Sequence, residues 1–291
     1  MKKFQRFITK HEEKIIIVNG FLLMLVSMLF ASCNWIDDDL ADCTNNQSEK
    51  ETLTLNVTPQ QWDDGAQTRA SYNTFSEGSS GNKTFSVNFT SGDAIGLYAV
   101  DKTGKVVVAN SKYTYSGSAW NTEDPIEYVT GLGSYTFFAY YPWVASLSGA
   151  PAVDDTPDIT SADTFFASAV TAWTPAADQS NITKFTSQDL MIAKGTNSTP
   201  YFHEVQVSFT MTHKMGLLVT KGTLSYYNIN DPSDTWTVEQ TFSPNIPYAI
   251  SDKYYFFAKP NTATTLGSKT ATVGSGQLEQ LFFTNGEPST H

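Results

Sequence analysis

Short runs of alternating apolar and polar residues recur along this chain, separated by turn-forming residues. The first, Thr52-Leu53-Thr54-Leu55-Asn56-Val57, sets two leucines and a valine on one side of an extended segment and threonine and asparagine on the other. A period of two is the signature of a half-buried β-strand. Thr84 to Phe89 alternates in the same way, and Ser91-Gly92-Asp93 then supplies a turn. Ala94 to Val100 is apolar at nearly every position, which predicts a strand buried on both faces. Asp101-Lys102-Thr103-Gly104 turns the chain into Val106-Val107-Val108, and Ser134 to Tyr141 is an aromatic strand stopped by Pro142. Ala145 to Asp163 is small and polar, and is expected to be the most mobile excursion. Strands follow at Asp189 to Ala193 and Val205 to Phe209. A second series then runs through Leu217 to Thr220, Leu224 to Ile229, Trp236 to Phe242, Tyr254 to Ala258 and Leu278 to Phe283. No stretch keeps a period of 3.6 over three turns, so helix is expected to be minor.

Many short strands at this spacing predict an all-β sandwich architecture. Residues 51–218 are assigned to an N-terminal β-sandwich, and residues 219–291 to a short C-terminal β-domain beginning near Lys221-Gly222. A tail of about 70 residues is small for an independent sandwich. Composition sharpens the class. With 19 Phe, 14 Tyr and 6 Trp but only 16% charged residues, the chain reads as an extracellular β-protein and not as a helical enzyme. A net charge of −11 and a pI near 4.7 argue against nucleic acid as a partner, because phosphates require lysine and arginine.

The N-terminus carries the most specific signal. Lys2, Lys3, Arg6, Lys10 and Lys14 make a basic region, and Ile15 to Phe30 is almost wholly apolar. That is the layout of a signal peptide, and its length also approaches the ~18 residues of a membrane span. Phe30-Ala31-Ser32-Cys33 places small residues directly before a cysteine, as in a bacterial lipobox. Residues 1–32 are therefore expected to be removed and Cys33 to carry acyl chains such as palmitate, anchoring the protein to the outer membrane. Residues 33–50 have the composition of a flexible acidic tether. Within it, Asp37-Asp38-Asp39 is either a solvated charge run or an acidic signal for export to the cell surface. A disulfide between Cys33 and Cys43 would clamp only a tail, so Cys43 is expected to be incidental.

Once Arg6 is lost with the leader, Arg69 is the only arginine in the chain. It follows the first strand and the polar run Gln60 to Gln67, in the sequence Thr68-Arg69-Ala70. Two readings stand. Arg69 is an ordinary loop charge, or it is the point at which an arginine-specific protease detaches the strand bearing Leu53, Leu55 and Val57.

Several blocks resemble one family in their order. Ser91-Gly92-Asp93-Ala94-Ile95-Gly96-Leu97-Tyr98 resembles the Gly-Asp-x-Ile-Gly-x-Tyr strand of fimbrillin-like proteins, the pilins of type V pili. Tyr113-Thr114-Tyr115 with Trp120, and Phe137-Phe138-Ala139-Tyr140-Tyr141-Pro142, are similar to its next elements. So are Asp189-Leu190-Met191 followed by Phe209 to Met215, and Tyr254 to Pro260. The resemblance implies two transthyretin-like Greek-key β-sandwiches, the C-terminal one short or incomplete here. It also implies lipoprotein export and, in many members, cleavage after an arginine ahead of the first domain. Loss of the first strand would then open a groove for a strand from a neighbouring subunit. By this analogy Arg69 and Ala70 flank the processing site, and Leu53, Leu55 and Val57 fill the groove beforehand. Members usually close with a Gly-Lys-x-Tyr turn and alternating strands, whereas this chain stops at Phe282 to His291. It therefore reads as a truncated pilin, a cap or tip variant, or a subunit that accepts a strand without donating one.

Other chemistry is weakly represented. His203 and His213 have no carboxylate or cysteine at metal-ligand spacing, and His213 resembles the family's structural histidine. Gly131-Leu132-Gly133 lacks the third glycine of a dinucleotide loop. Asp154, Asp155 and Asp158 form either a solvated loop or a calcium cluster. Trp120, Trp143 and Trp173 form either packing or a sugar-stacking platform. No catalytic group, metal or cofactor is expected. The partners implied are other pilin subunits, by strand donation, and the outer membrane, with the receptor unidentified. The alternative is a glycan-binding surface lipoprotein of a nutrient-uptake system. A glycoside hydrolase would need a carboxylate pair that no segment singles out.

Overall fold

Ala94–Val100 becomes a strand covered on both faces, with one buried apolar cluster on each side of it. The structure, a computed structural model, describes residues 52–63, 75–77, 83–85, 87–126, 134–201, 204–221, 223–228, 231–239, 241–250 and 253–281. All of them belong to one compact unit.

The chain is nearly all β. Its strands are β1 (Thr52–Pro59), β2 (Trp62–Asp63), β3 (Phe75–Glu77), β4 (Lys83–Phe85), β5 (Ala94–Val100), β6 (Val106–Tyr115) and β7 (Trp120–Asn121). They continue as β8 (Thr136–Tyr141), β9 (Met191–Lys194), β10 (Thr196–Tyr201), β11 (Glu204–His213) and β12 (Gly216–Lys221). The last are β13 (Thr223–Asn228), β14 (Asp231–Glu239), β15 (Tyr248–Ile250), β16 (Lys253–Ala258), β17 (Thr264–Leu266), β18 (Lys269–Ala271) and β19 (Leu278–Leu281). Three short helical turns, Ala162–Phe165, Ala167–Ala172 and Ile182–Thr186, lie between β8 and β9.

The principal sheet has the order β1-β11-β9-β8-β5-β6-β7, with β10 also on β11. Strand β11 joins β9 only at its end, where Thr212 and His213 face Ile192 and Met191. The sheet therefore turns there, and β1, β10 and β11 close over β5, β8 and β9. One apolar cluster fills the interior: Ile95, Leu97 and Ala99 of β5, Phe137 and Ala139 of β8, and Val205, Val207 and Phe209 of β11. The alternate residues Tyr98, Val100, Phe138, Tyr140 and Ile192 face the other way, into a second cluster. That second cluster also takes in Phe165 and Phe166 from the helical turns and Leu217, Val219, Tyr255 and Phe257 from β12 and β16. Period-two alternation thus sorts one strand between two cores, which is why it looks uniformly apolar in sequence.

Strands β12 and β16 belong to a four-stranded sheet of order β15-β16-β12-β19. Its opposite face, with Leu218, Phe256 and Ala258, packs on Leu266 of β17 and on Val273. Residues on both sides of position 218 therefore contribute to one apolar cluster.

Two glutamine side chains take the place of strands at open edges. Gln179 is fully buried; its amide donates to the Phe257 carbonyl (2.9 Å) and its oxygen accepts from the Phe257 N–H (2.8 Å). Gln61 holds the Val87 carbonyl (2.8 Å) and N–H (2.7 Å) in the same way. Of the alternating run Thr84 to Phe89, Thr84 and Phe85 are strand, while residues 87–89 are not, and there the Gln61 amide meets the Val87 backbone in place of a ladder. The Ala145 to Asp163 excursion is fastened, contrary to expectation. The Val106 N–H donates to Asp155 O (2.9 Å), the Asp154 N–H donates to Val106 O (2.9 Å), and Lys105 pairs with Asp154 at 2.7 Å.

Gly96 has a packing reason: a Cβ there would collide with the Tyr140 ring. That ring's hydroxyl lies 2.7 Å from Asn110 Oδ1 and accepts from the Val144 N–H at 3.1 Å. Burial pushes the Tyr113 and Tyr140 hydroxyls up to about 12 from an ordinary 10.0. The unfolded chain ionises first, so the stability these groups contribute is complete below pH 10.0 and declines as pH rises towards about 12. Urea midpoints measured across that window should fall, and tyrosinate absorbance should show a late-titrating class. A single tyrosine transition in the folded protein, complete near the ordinary value, would contradict this packing.

Candidate functional site

Strand β1 lies at one end of the principal sheet, and its only ladder partner among the described strands is β11. The pairing is parallel, in unbroken register from Thr52↔Glu204 to Pro59↔Met211. Parallel pairing needs no hairpin and joins segments far apart in the chain, since hydrogen bonding of distant edges decides it. The ladder runs one residue further, because the Gln60 N–H donates to Met211 O at 2.7 Å.

The alternation in β1 then has a direct structural meaning. Leu53, Leu55 and Val57 face the interior cluster; Val57 is buried, while Leu53 and Leu55 are half-buried at its margin. Thr54 and Thr58 face outwards and are exposed. Thr54 Oγ1 donates to Glu204 Oε1 (3.3 Å), and Thr58 Oγ1 to Phe209 O (3.3 Å). Without β1, the β11 backbone edge and this part of the cluster would lie open, the condition under which a sheet recruits another strand.

Trp62, just beyond β1, is buried more deeply than the strand's own inward residues. Trp62 is 0% exposed. Its ring lies over His213, centroids 4.0 Å apart at 30°, and 5.8 Å from Phe257 of β16. His213 Nε2 is 2.6 Å from the Gln60 carbonyl, which can only accept, so this nitrogen carries a proton. Its Nδ1 is 2.8 Å from Asp189 Oδ1, and both residues of that pair are buried. The ring thus ties the end of β1 to the end of β11 and to Asp189, two residues ahead of β9. Sequence reasoning placed Gln60, Gln61 and Trp62 in a polar run. The available signal was tryptophan itself, a large apolar surface rarely left in a linker.

The other candidates are distributed as follows. Cys33, Asp37, Asp38, Asp39, Cys43, Arg69, Ala70, Gly131, Gly133 and His203 lie outside the described residues. Asp154 is taken up by Lys105, Asp155 Oδ2 accepts from the Ala152 N–H, and Asp158 Oδ1 accepts from the Thr160 N–H. Among the described residues no three metal-ligating side chains are gathered. Trp120 packs at the fringe of the interior cluster, edge-on to Phe89 at 5.1 Å. Trp143 and Trp173 belong to the cluster on the other side of the sheet, so the three indoles form no common platform. Trp173 borders an open cleft of about 410 Å³ with Ser146, Ser148 and Gln188, and its N–H is committed to Gln188 O at 3.2 Å.

Comparison with known proteins points one way. A family described as fimbrillin-like matches residues 68–243. A Bacteroides ovatus protein carrying the name fimbrium tip subunit Fim1C is 31% identical over 173 residues, which cover 59% of this chain and 30% of that one. A crystal structure of a fimbrial protein from Bacteroides ovatus superposes with a TM-score of 0.53 at 22% identity, covering 80% of this chain and 48% of the other. The chain thus spans about a third of the length of that curated relative.

Trp62→Ala should lower unfolding stability by about 3–5 kcal/mol, the usual range for truncating a buried aromatic. Leu53→Ala, at a half-buried edge position, should cost about 1 kcal/mol. Urea unfolding of both variants measures the contrast, and equal losses would show that the ring does not anchor the strand.

Proposed function

The chain belongs to the fimbrillin-like family, and from that premise we propose that it is a subunit of a cell-surface fimbrium, assembled by strand exchange along β11. Strand β1 is the resident occupant of the exchange groove, and cleavage between Arg69 and Ala70 severs it from the rest of the chain. A neighbouring subunit then supplies a strand that restores the ladder and covers the interior cluster. Export precedes this. The leader 1–32 is removed, Cys33 is acylated, and Asp37, Asp38 and Asp39 direct the protein outwards, so that it reaches the surface as an outer-membrane lipoprotein. Its role is adhesive and architectural, without catalysis or cofactor. The name of the 31% identical relative makes the end of the fimbrium the first position to examine.

The observation that carries this reading is the topology of β1. It is an edge strand in parallel register with a segment about 150 residues away, and the single arginine of the mature chain follows it. A strand so placed can leave without reordering any other ladder of the principal sheet. Most strands in a sheet have two ladder partners and cannot.

N-terminal sequencing and intact mass of the protein recovered from the native cell surface test the proposal. A mature start at Ala70 is the expected result. An acylated start at Cys33 with residues 52–69 retained would overturn the processing step for this protein.

A further inference from the structure

The groove along β11 extends past the ladder, and its far end has its own chemical demand. We propose that this groove reads an incoming segment at two points: an alternating apolar strand parallel to β11, and an aromatic ring five residues after the last inward apolar position. The inference rests on the strand-exchange reading and adds a specificity to it.

The resident segment defines the demand. Leu53, Leu55 and Val57 provide alternation, which a great many β-strands share, and two of the three are only half-buried. Trp62 is fully buried and touches groups from two different sheets, His213 of β11 and Phe257 of β16. A segment that lacked this ring would leave a void at the junction of those sheets. It would also leave the face of the His213 ring uncovered, in a site where His213 and Asp189 are already withdrawn from water. The Gln60 carbonyl that meets His213 Nε2 is a backbone group, so any strand in register supplies it. What depends on sequence is the ring, together with the Gln61 side chain that clamps the Val87 backbone.

The ring's polar atom is not what the site recognises. Trp62 Nε1 is buried and finds no hydrogen-bond acceptor among the described residues. Phenylalanine or tyrosine should therefore serve in its place, while an aliphatic or polar residue should not. The partner is thus a strand bearing a pattern of three alternating apolar residues followed by an aromatic residue at the Trp62 position. Because the site lies at the end of the ladder, a strand shifted by two residues keeps its apolar face inward yet misplaces its ring. The aromatic position therefore also sets register, which alternation alone leaves open.

The test uses the mature chain cut once at Arg69 by an arginine-specific protease, or cut at a protease sequence replacing residues 64–69 where Arg69 resists. Labelled peptides spanning residues 51–63 are exchanged into the cut protein and followed by fluorescence anisotropy and native mass spectrometry. The wild-type peptide should enter. The Trp62→Phe peptide should bind within about tenfold of it, and the Trp62→Ala peptide more weakly by a factor of about 100. Equal binding of the alanine and wild-type peptides would overturn the two-point inference and leave strand exchange intact. Entry of no peptide at all would overturn strand exchange, and this inference with it.

Discussion

One buried imidazole holds the edges of this fold together. His213 sits at the end of β11 with the Gln60 carbonyl on one nitrogen and Asp189 on the other, under the ring of Trp62. Four parts of the chain meet there: the end of β1, the end of β11, the approach to β9 and, through Phe257, the second sheet. Withdrawn from water, these polar groups are costly if left unpaired, so each fixes where its neighbours must be. The turn in the principal sheet, where β11 crosses from β1 to β9, occurs beside this ring.

Around that node the architecture follows from a shortage of water-facing surface. Strands β5 and β8 are covered on both sides, so their side chains divide between an interior cluster and a second cluster shared with β12 and β16. A strand in that position cannot be removed without opening two cores. An edge strand such as β1 opens one, and only at its margin. The fold therefore grades its strands by what their loss would expose, and β1, an edge strand, is less committed than β5 or β8 apart from its anchor at Trp62. The glutamine clamps at Val87 and Phe257 show the same economy: a side-chain amide satisfies a backbone donor and acceptor where no strand is available.

For the proposed function this grading matters more than any catalytic geometry. A fimbrium built by exchange requires a subunit that is stable before assembly yet has one replaceable strand. On that proposal, parallel β1 would be the replaceable strand and the ring of Trp62 would keep it in place until then. Membership of the fimbrillin-like family agrees with the architecture, which superposes on a fimbrial protein of known structure over 80% of this chain.

Much of this was legible in the sequence. The alternation of Thr52 to Val57, the uniform apolarity of Ala94 to Val100 and the aromatic run of β8 each identify a strand, and the mode of burial of the first two follows from the two-residue period alone. The expectations for the leader, Cys33 and Arg69 likewise rest on local pattern alone, in residues the structure does not describe. What only the tertiary structure decided is who pairs with whom. That β1 lies parallel to β11, that Gln61 replaces a strand at Val87, and that the apparently polar stretch after β1 ends in a buried tryptophan all depend on residues far away in the chain. Local pattern determines which side of a strand is apolar. It carries no information about the distant edge against which that side comes to rest.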